Sequence, residues 1–124
     1  GITAIGSGAF LDQKTIKKVS LPDSVLTIET NAFRGCETLE ELQFGSALKT
    51  IGSFAFYRCK SLASLALPDS VKTLETGAFQ ECTALKTAAL GNGVKKLPIQ
   101  LFIAPFPHIR TALPPILPKP LAAP

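Results

Sequence analysis

The sequence predicts a β-rich solenoid of stacked coils, and three observations carry that prediction. Ala-Phe returns at a fixed distance, at Ala9-Phe10, Ala32-Phe33, Ala55-Phe56 and Ala78-Phe79, a step of 23 residues. Cysteine keeps the same step at Cys36, Cys59 and Cys82, as does leucine at Leu39, Leu62 and Leu85, with Ile16 in the leucine column. Leu-Pro-Asp-Ser, at residues 21–24, comes back two steps later at 67–70. A constant period of about 20–30 residues is the mark of a chain in which each coil hides its apolar side against the next.

Within one coil the elements follow in order. A short extended segment points Val25 and Ile28 inward, and the matching pairs are Leu48/Ile51, Val71/Leu74 and Val94/Leu97. Ser7, Thr30, Ser53 and Thr76 come next. A hydroxyl column ahead of a helical spacing predicts an N-cap. Ala32, Phe33 and Cys36 then fall on one face of a single helical turn. A second extended segment aims Leu39, Leu42 and Phe44 inward, with equivalents Leu62/Leu65/Leu67 and Leu85/Ala88/Leu90. Its L-x-x-L-x-L pattern is that of a leucine-rich-repeat strand, which stacks in parallel with its neighbours. Pro22, Gly45, Pro68 and Gly91 close the strand at a turn, and Asp23-Ser24 and Asp69-Ser70 are placed to bond their own backbone there. The expected architecture is a right-handed leucine-rich-repeat solenoid of 23-residue coils, with short parallel strands and one-turn helical segments.

The array occupies residues 1–103, about four and a half repeats. The chain has no initiator Met and opens at Gly1-Ile2 in the column of Val25 and Val71, which reads as a piece of a longer array. Residues 104–124 form a proline-rich degenerate repeat or tail. There the cysteine column holds Pro105 and the leucine column His108, although Phe102 still stands in the Phe79 column and Leu113-Pro114 repeats Leu67-Pro68.

Composition excludes several classes of function. The chain has 124 residues, of which 46% are hydrophobic and 18% charged, which is too apolar for a solvated disordered segment. The net charge of +4 is modest, and the basic pairs Lys17-Lys18 and Lys95-Lys96 stand alone, so no nucleic-acid partner is expected. No uninterrupted apolar run reaches the length of a transmembrane segment. Three cysteines at this spacing are neither a zinc knuckle nor a redox pair. Stacked one per coil, they read first as small buried apolar side chains. Their spacing between coils also admits a disulfide, and a metal would need a third ligand from the same interior.

No catalytic, cofactor-binding or metal residues are expected. The sole histidine, His108, has no acid or nucleophile beside it in sequence and reads as a spoiled leucine position. Glu40 and Glu41, adjacent on a strand, point to opposite faces and read as solvated flanks. Gly91-Asn92-Gly93 reads as a tight turn, since it lacks phosphate-loop spacing.

Two stripes are the candidate ligand-facing residues. Lys49, Lys72 and Lys95 share one column, with Lys96 adjoining, and such a basic ladder suits an acidic protein or a sulfated glycan. Its plain alternative is a solvated sheet face that resists aggregation. The second stripe alternates with the inward leucines: Gln43, Ala66 and Ala89 (Ser20 in the first coil) beside Glu41, Ser64 and Thr87 (Lys18 in the first coil). Concave strand faces are the usual docking surface of solenoids, but this one is small, near-neutral and without an aromatic anchor.

With the columns laid out, the chain resembles the BspA-like, or TpLRR-type, leucine-rich repeats, whose pattern in outline is L-x-x-L-x-L-P-x-x-V/L-x-x-I-G-x-x-A-F-x-x-C. Residues 62–82 read LASLALPDSVKTLETGAFQEC, and residues 39–59 read LEELQFGSALKTIGSFAFYRC. Ile-Gly is literal at Ile5-Gly6 and Ile51-Gly52, and becomes Ile28-Glu29 and Leu74-Glu75 in the alternate coils. The resemblance spans residues 1–102. It implies a cell-surface or secreted adhesin-like protein of microbial origin whose repeats bind host protein, matrix or other cells, with no catalytic residues. The alternatives are structural spacer repeats and an intracellular scaffolding domain. Uncapped coil ends additionally point to end-to-end self-association.

Overall fold

A computed structural model describes residues 1–98 and 100–102, together with the backbone of Arg110–Ala112. His108, Pro105 and Leu113-Pro114 lie outside the described residues.

Each of the first four coils contributes one two-residue and one three-residue strand, and a further three-residue strand follows at Arg110–Ala112. β1 (Ala4–Ile5), β3 (Thr27–Ile28), β5 (Thr50–Ile51) and β7 (Thr73–Leu74) form a continuous parallel ladder in the order β1-β3-β5-β7. Its register places Ile5 beside Ile28, Ile28 beside Ile51 and Ile51 beside Leu74, so each pair is one 23-residue step apart. The three-residue strands are β2 (Lys18–Ser20), β4 (Glu41–Gln43), β6 (Ser64–Ala66), β8 (Thr87–Ala89) and β9 (Arg110–Ala112). They pair as β2-β4 and as β6-β8-β9, again in parallel and again one step apart. The register therefore persists beyond residue 103, because Thr87, Ala88 and Ala89 pair with Arg110, Thr111 and Ala112.

The segment between the two strands differs from the expected helical turn. Overlapping β-turns build it, with Ala32 N–H donating to Glu29 O, Arg34 N–H to Asn31 O and Cys36 N–H to Phe33 O. The intervening amides leave the coil altogether: Asn31, Phe33 and Gly35 donate to Ser53, Ala55 and Tyr57 carbonyls of the next coil at 3.0, 2.7 and 2.8 Å. A helical turn would turn all these groups along its own axis, whereas alternation satisfies both the local turn and the stack. Among the described residues the hydroxyl column accordingly makes no capping bond. Its contribution is the carbonyl of Thr30, Ser53 and Thr76, each accepting from the preceding coil.

Alternation has a backbone cost. The third residue of alternate turns has positive φ, which gives two columns, Gly8/Asn31/Phe54/Gly77 and Asp12/Gly35/Arg58/Glu81. Glycine and asparagine fit there, but Phe54 (φ 56°), Arg58 (φ 62°) and Glu81 (φ 64°) are held against their preference by the bonds on either side.

The core is the predicted set of columns. Ala32, Ala55 and Ala78, Phe33, Phe56 and Phe79, the three cysteines, and Leu39, Leu62 and Leu85 are all buried. The phenyl rings form a stack, with centroids 5.0 Å apart for Phe10–Phe33, 5.1 Å for Phe33–Phe56 and 5.3 Å for Phe56–Phe79, and planes within 5° of parallel. The regularity loosens at both ends: Phe102 tilts by 31° on Phe79 at 6.4 Å, and Phe10 is 38% exposed. Leu97, expected to face inward, is instead 37% exposed. The Lys96-Leu97 segment has no partner strand in the β1-β3-β5-β7 ladder to hold it against the core.

The thiols are free and buried, which removes the disulfide reading for the described chain. Each Sγ–H donates to a phenylalanine carbonyl of the preceding coil: Cys36 to Phe10, Cys59 to Phe33 and Cys82 to Phe56, at 3.2, 3.4 and 3.2 Å. Burial raises all three pKa values, Cys82 to about 12.

One corner sets how closely coils approach. Gly6, Glu29, Gly52 and Glu75 share a column, and Gly52 donates to Ile28 O at 2.7 Å. A Cβ at Gly52 would sit 2.7 Å from the Thr30 nitrogen and 2.9 Å from the Glu29 carbonyl carbon, both rigid backbone. Gly52→Ala is expected to cost roughly 1–3 kcal/mol by overpacking. Gly6→Ala, where nothing lies within 4 Å, is expected to be neutral or stabilising by about 0.4–1 kcal/mol. Urea midpoints of the two variants check this; equal values would mean the corner is not tight.

Candidate interaction surface

All ten candidate ligand-facing residues are exposed, and the fold divides them between two surfaces. Lys49 and Lys72 precede β5 and β7 and are set in file by backbone bonds, Lys49 N–H donating to Leu26 O and Lys72 N–H to Lys49 O, at 2.8 and 2.9 Å; Lys95 continues the same sequence column beyond the last two-residue strand. Lys96 stands in the column of Thr27, Thr50 and Thr73. Among the described residues the salt bridges are Lys14–Glu37 at 3.5 Å and Lys18–Glu41 at 4.0 Å, so the lysine file is not neutralised by a carboxylate within that distance. Glu29 and Glu75, three positions further along the coil than the lysine column, flank Gly52 in one shallow groove with Thr27, Thr30 and Thr50.

The second surface is the file of three-residue strands. Glu41 and Gln43 on β4, Ser64 and Ala66 on β6, and Thr87 and Ala89 on β8 all point outward around the inward Leu42, Leu65 and Ala88. Glu40 precedes β4 rather than lying on it, so strand alternation does not set it opposite Glu41 as expected; both are exposed and border the same cleft. Among the described residues no group of three or more His, Cys, Asp or Glu side chains is arranged to hold a metal.

This strand file is interrupted. β2 pairs with β4 and β6 with β8, but β4 and β6 belong to separate sheets. On the paired steps, Leu21 N–H donates to Gln43 O at 2.9 Å and Leu67 N–H to Ala89 O at 2.8 Å; among the described residues Phe44 N–H makes no such bond to Ala66 O. A cleft of about 290 Å³ lies along the break, lined by Lys18, Glu40, Glu41, Leu42, Gln43, Ser64 and Ala66. Side chains link the first two coils across this face, with Lys18 near Glu41 and Ser20 Oγ donating to Gln43 Oε1 at 3.4 Å. The sequence held a signal for the break that column reading passes over. Phe44 stands where Leu21, Leu67 and Leu90 stand in the other coils, and its ring meets Phe56 edge-on at 5.9 Å and 87°.

A third feature, not anticipated from sequence, is an aromatic–arginine cluster on the turn side of the middle coils. The Arg34 guanidinium lies 4.7 Å from the centre of the Tyr57 ring, and Phe54 meets the same ring edge-on at 5.7 Å. Phe54 also lies against Gly77, whose missing Cβ makes room for it. The cluster is a packing device across three coils.

Comparison with known proteins agrees with this architecture. The family description "BspA type Leucine rich repeat region" matches residues 3–111 in six copies. Among solved structures, a leucine-rich repeat protein from Bacteroides capillosus is similar at 33% identity and TM-score 0.65, over 70% of this chain and 62% of that one. The pneumococcal vaccine antigen PcpA is similar at 29% identity and TM-score 0.76, over 90% of this chain and 26% of that one. The T. pallidum leucine-rich repeat protein TpLRR shares the fold at 23% identity and TM-score 0.57, over 94% and 73%. No curated protein matches the sequence. This chain thus spans 62% of the Bacteroides protein and about a quarter of PcpA. With a six-copy match covering most of its length, and the stacked columns that such repeats require, the chain belongs to the BspA-type leucine-rich repeat family.

Proposed function

We propose that the chain is a non-enzymatic interaction module of a cell-surface or secreted adhesin-like protein, with the lysine file as its primary contact for an acidic protein or a sulfated glycan. The observation that carries this reading is the alignment of Lys49, Lys72 and Lys95 on consecutive coils, exposed and bound to no carboxylate within 4.0 Å among the described residues. Parallel strands repeat at about 4.8 Å, so the file presents cationic groups at a spacing below the Debye length of about 8 Å at physiological salt. Such groups act on an anionic chain as one surface. The similarity to PcpA, a vaccine antigen, supports an externally displayed role.

Retention on immobilised heparin and capture on a panel of matrix proteins test the reading. Reversal of all three lysines to glutamate is expected to reduce heparin retention at 0.15 M salt by roughly tenfold or more, with an unchanged melting temperature because the residues are exposed. Retention by neither heparin nor any matrix protein would instead favour spacer repeats. The near-neutral strand face, with Ala66 and Ala89 at its centre, is the feature that suits a spacer.

A further inference from the structure

We infer that the seam between β4 and β6 is a built-in flex line that divides the solenoid into two plates. Three observations place it there. First, the three-residue ladder stops. On the register that β2 keeps with β4 and β6 keeps with β8, the amides of Leu42, Phe44, Ser64 and Ala66 would face carbonyls across the step, and the two strands are not hydrogen-bonded. Mid-sheet backbone groups are otherwise paired almost without exception, so an interruption on one step of a regular stack needs a specific cause.

Second, Phe44 supplies that cause. A phenyl ring in place of the leucine of the other coils extends to Phe56 of the next coil and meets its ring edge-on at 5.9 Å, a contact that the smaller leucine cannot make at the closed steps. Third, the corner beyond the strand lacks its tie at this step. The Asp23 carboxylate accepts from Ser46 N–H at 2.9 Å, joining the first coil to the second, and Asp69 accepts from Asn92 N–H at 2.8 Å, joining the third to the fourth. The corresponding position between the second and third coils is Ser46, whose side chain makes no such bond among the described residues.

The other two sides of the coil remain closed at the same step. Gly52 N–H donates to Ile28 O, Phe33 N–H to Ala55 O and Ser61 Oγ to Glu37 O, each at 2.7 Å. The plates are therefore joined through the two-residue ladder and the turns, and they part along the three-residue strands. One plate carries Lys18, Ser20, Glu41 and Gln43; the other carries Ser64, Ala66, Thr87 and Ala89. Opening or closing the seam changes the angle between a charged surface and a small, neutral one. It also offers uncommitted N–H and C=O groups to whatever presses on that face.

Amide hydrogen exchange read residue by residue by NMR tests the inference. In the wild-type chain, Leu42, Phe44, Ser64 and Ala66 are expected to exchange about a hundredfold faster than their counterparts in the closed first step, namely Val19, Leu21, Glu41 and Gln43. Phe44→Leu, which restores the residue of the other coils, is expected to close the ladder and slow all four. Leu21→Phe is expected to add a second fast set at positions 19, 21, 41 and 43. Equal protection on both sets in the wild type would overturn the flex line. Fast exchange that survives in a folded Phe44→Leu variant, with no new fast set in Leu21→Phe, would overturn the wedge as its origin.

Discussion

Phe56→Ala is expected to lower stability by about 3–5 kcal/mol, the largest effect of any single truncation in the chain. Phe56 is fully buried, with one parallel ring on each side at 5.1 and 5.3 Å and the Phe44 ring edge-on at 5.9 Å. No neighbour can collapse into the space, because the backbone around it is fixed to both adjacent coils. Ala55 accepts from Phe33 N–H at 2.7 Å, and Phe56 N–H donates to Ala78 O at 2.8 Å. A domain of this size has roughly 5–15 kcal/mol in total, so the variant should be near the edge of folding at 37 °C. Phe10→Ala, at the exposed end of the same stack, provides the control and should cost under about 1.5 kcal/mol, in line with its partial burial. Urea unfolding followed by far-UV circular dichroism compares the two. Equal losses would mean that the rings stack without bearing on stability.

That contrast shows what column reading captures. Every fully buried phenylalanine, cysteine and leucine of the middle coils stands in a column visible in the sequence, because a stack forces one residue type into one environment at each step. The outward lysine file is legible for the same reason. The turn geometry is not, since Ala, Phe and Cys at one, two and five positions past Asn31 satisfy a helical turn and two overlapping β-turns equally well; inter-coil amide bonds decide between them. Phe44 is the sharper lesson. As a hydrophobic residue in a hydrophobic column it looks conforming, and its consequence depends on volume: one ring more than leucine, directed at Phe56, separates strands that the periodicity predicts to be paired. The carboxylates of Asp23 and Asp69 were placed by sequence at the correct corner but with their own backbone as partner. They bond the next coil instead, at positions 46 and 92. After residue 103 the composition turns proline-rich, but the 23-residue step that sequence still shows at Phe102 also brings Arg110–Ala112 alongside β8.

Stability is expected to fall steeply above pH 9 for a reason confined to the cysteine column. Burial is the main cause that raises the Cys59 and Cys82 thiols above the ordinary value of 9.0; for Cys59 the neighbouring thiols on both sides add to it, since ionising one disfavours ionising the next. A group whose pKa is higher folded than unfolded keeps its full contribution below the unfolded value. It loses that contribution as the pH rises from there towards the folded value, because the unfolded chain can release a proton that the folded chain retains. For Cys82 this window runs from 9.0 to about 12. Each such thiol then destabilises the fold by about 1.4 kcal/mol per pH unit, so the pair costs roughly 3 kcal/mol at pH 10. The measurement is the urea midpoint at pH 8 and pH 10 for the wild type and for Cys36→Ala/Cys59→Ala/Cys82→Ala. The triple variant should be less stable at pH 8, having lost three buried sulfur atoms, yet should lose markedly less between the two values. A parallel fall in both proteins would mean that the alkaline loss does not come from the cysteine column and leave the thiols as inert filling.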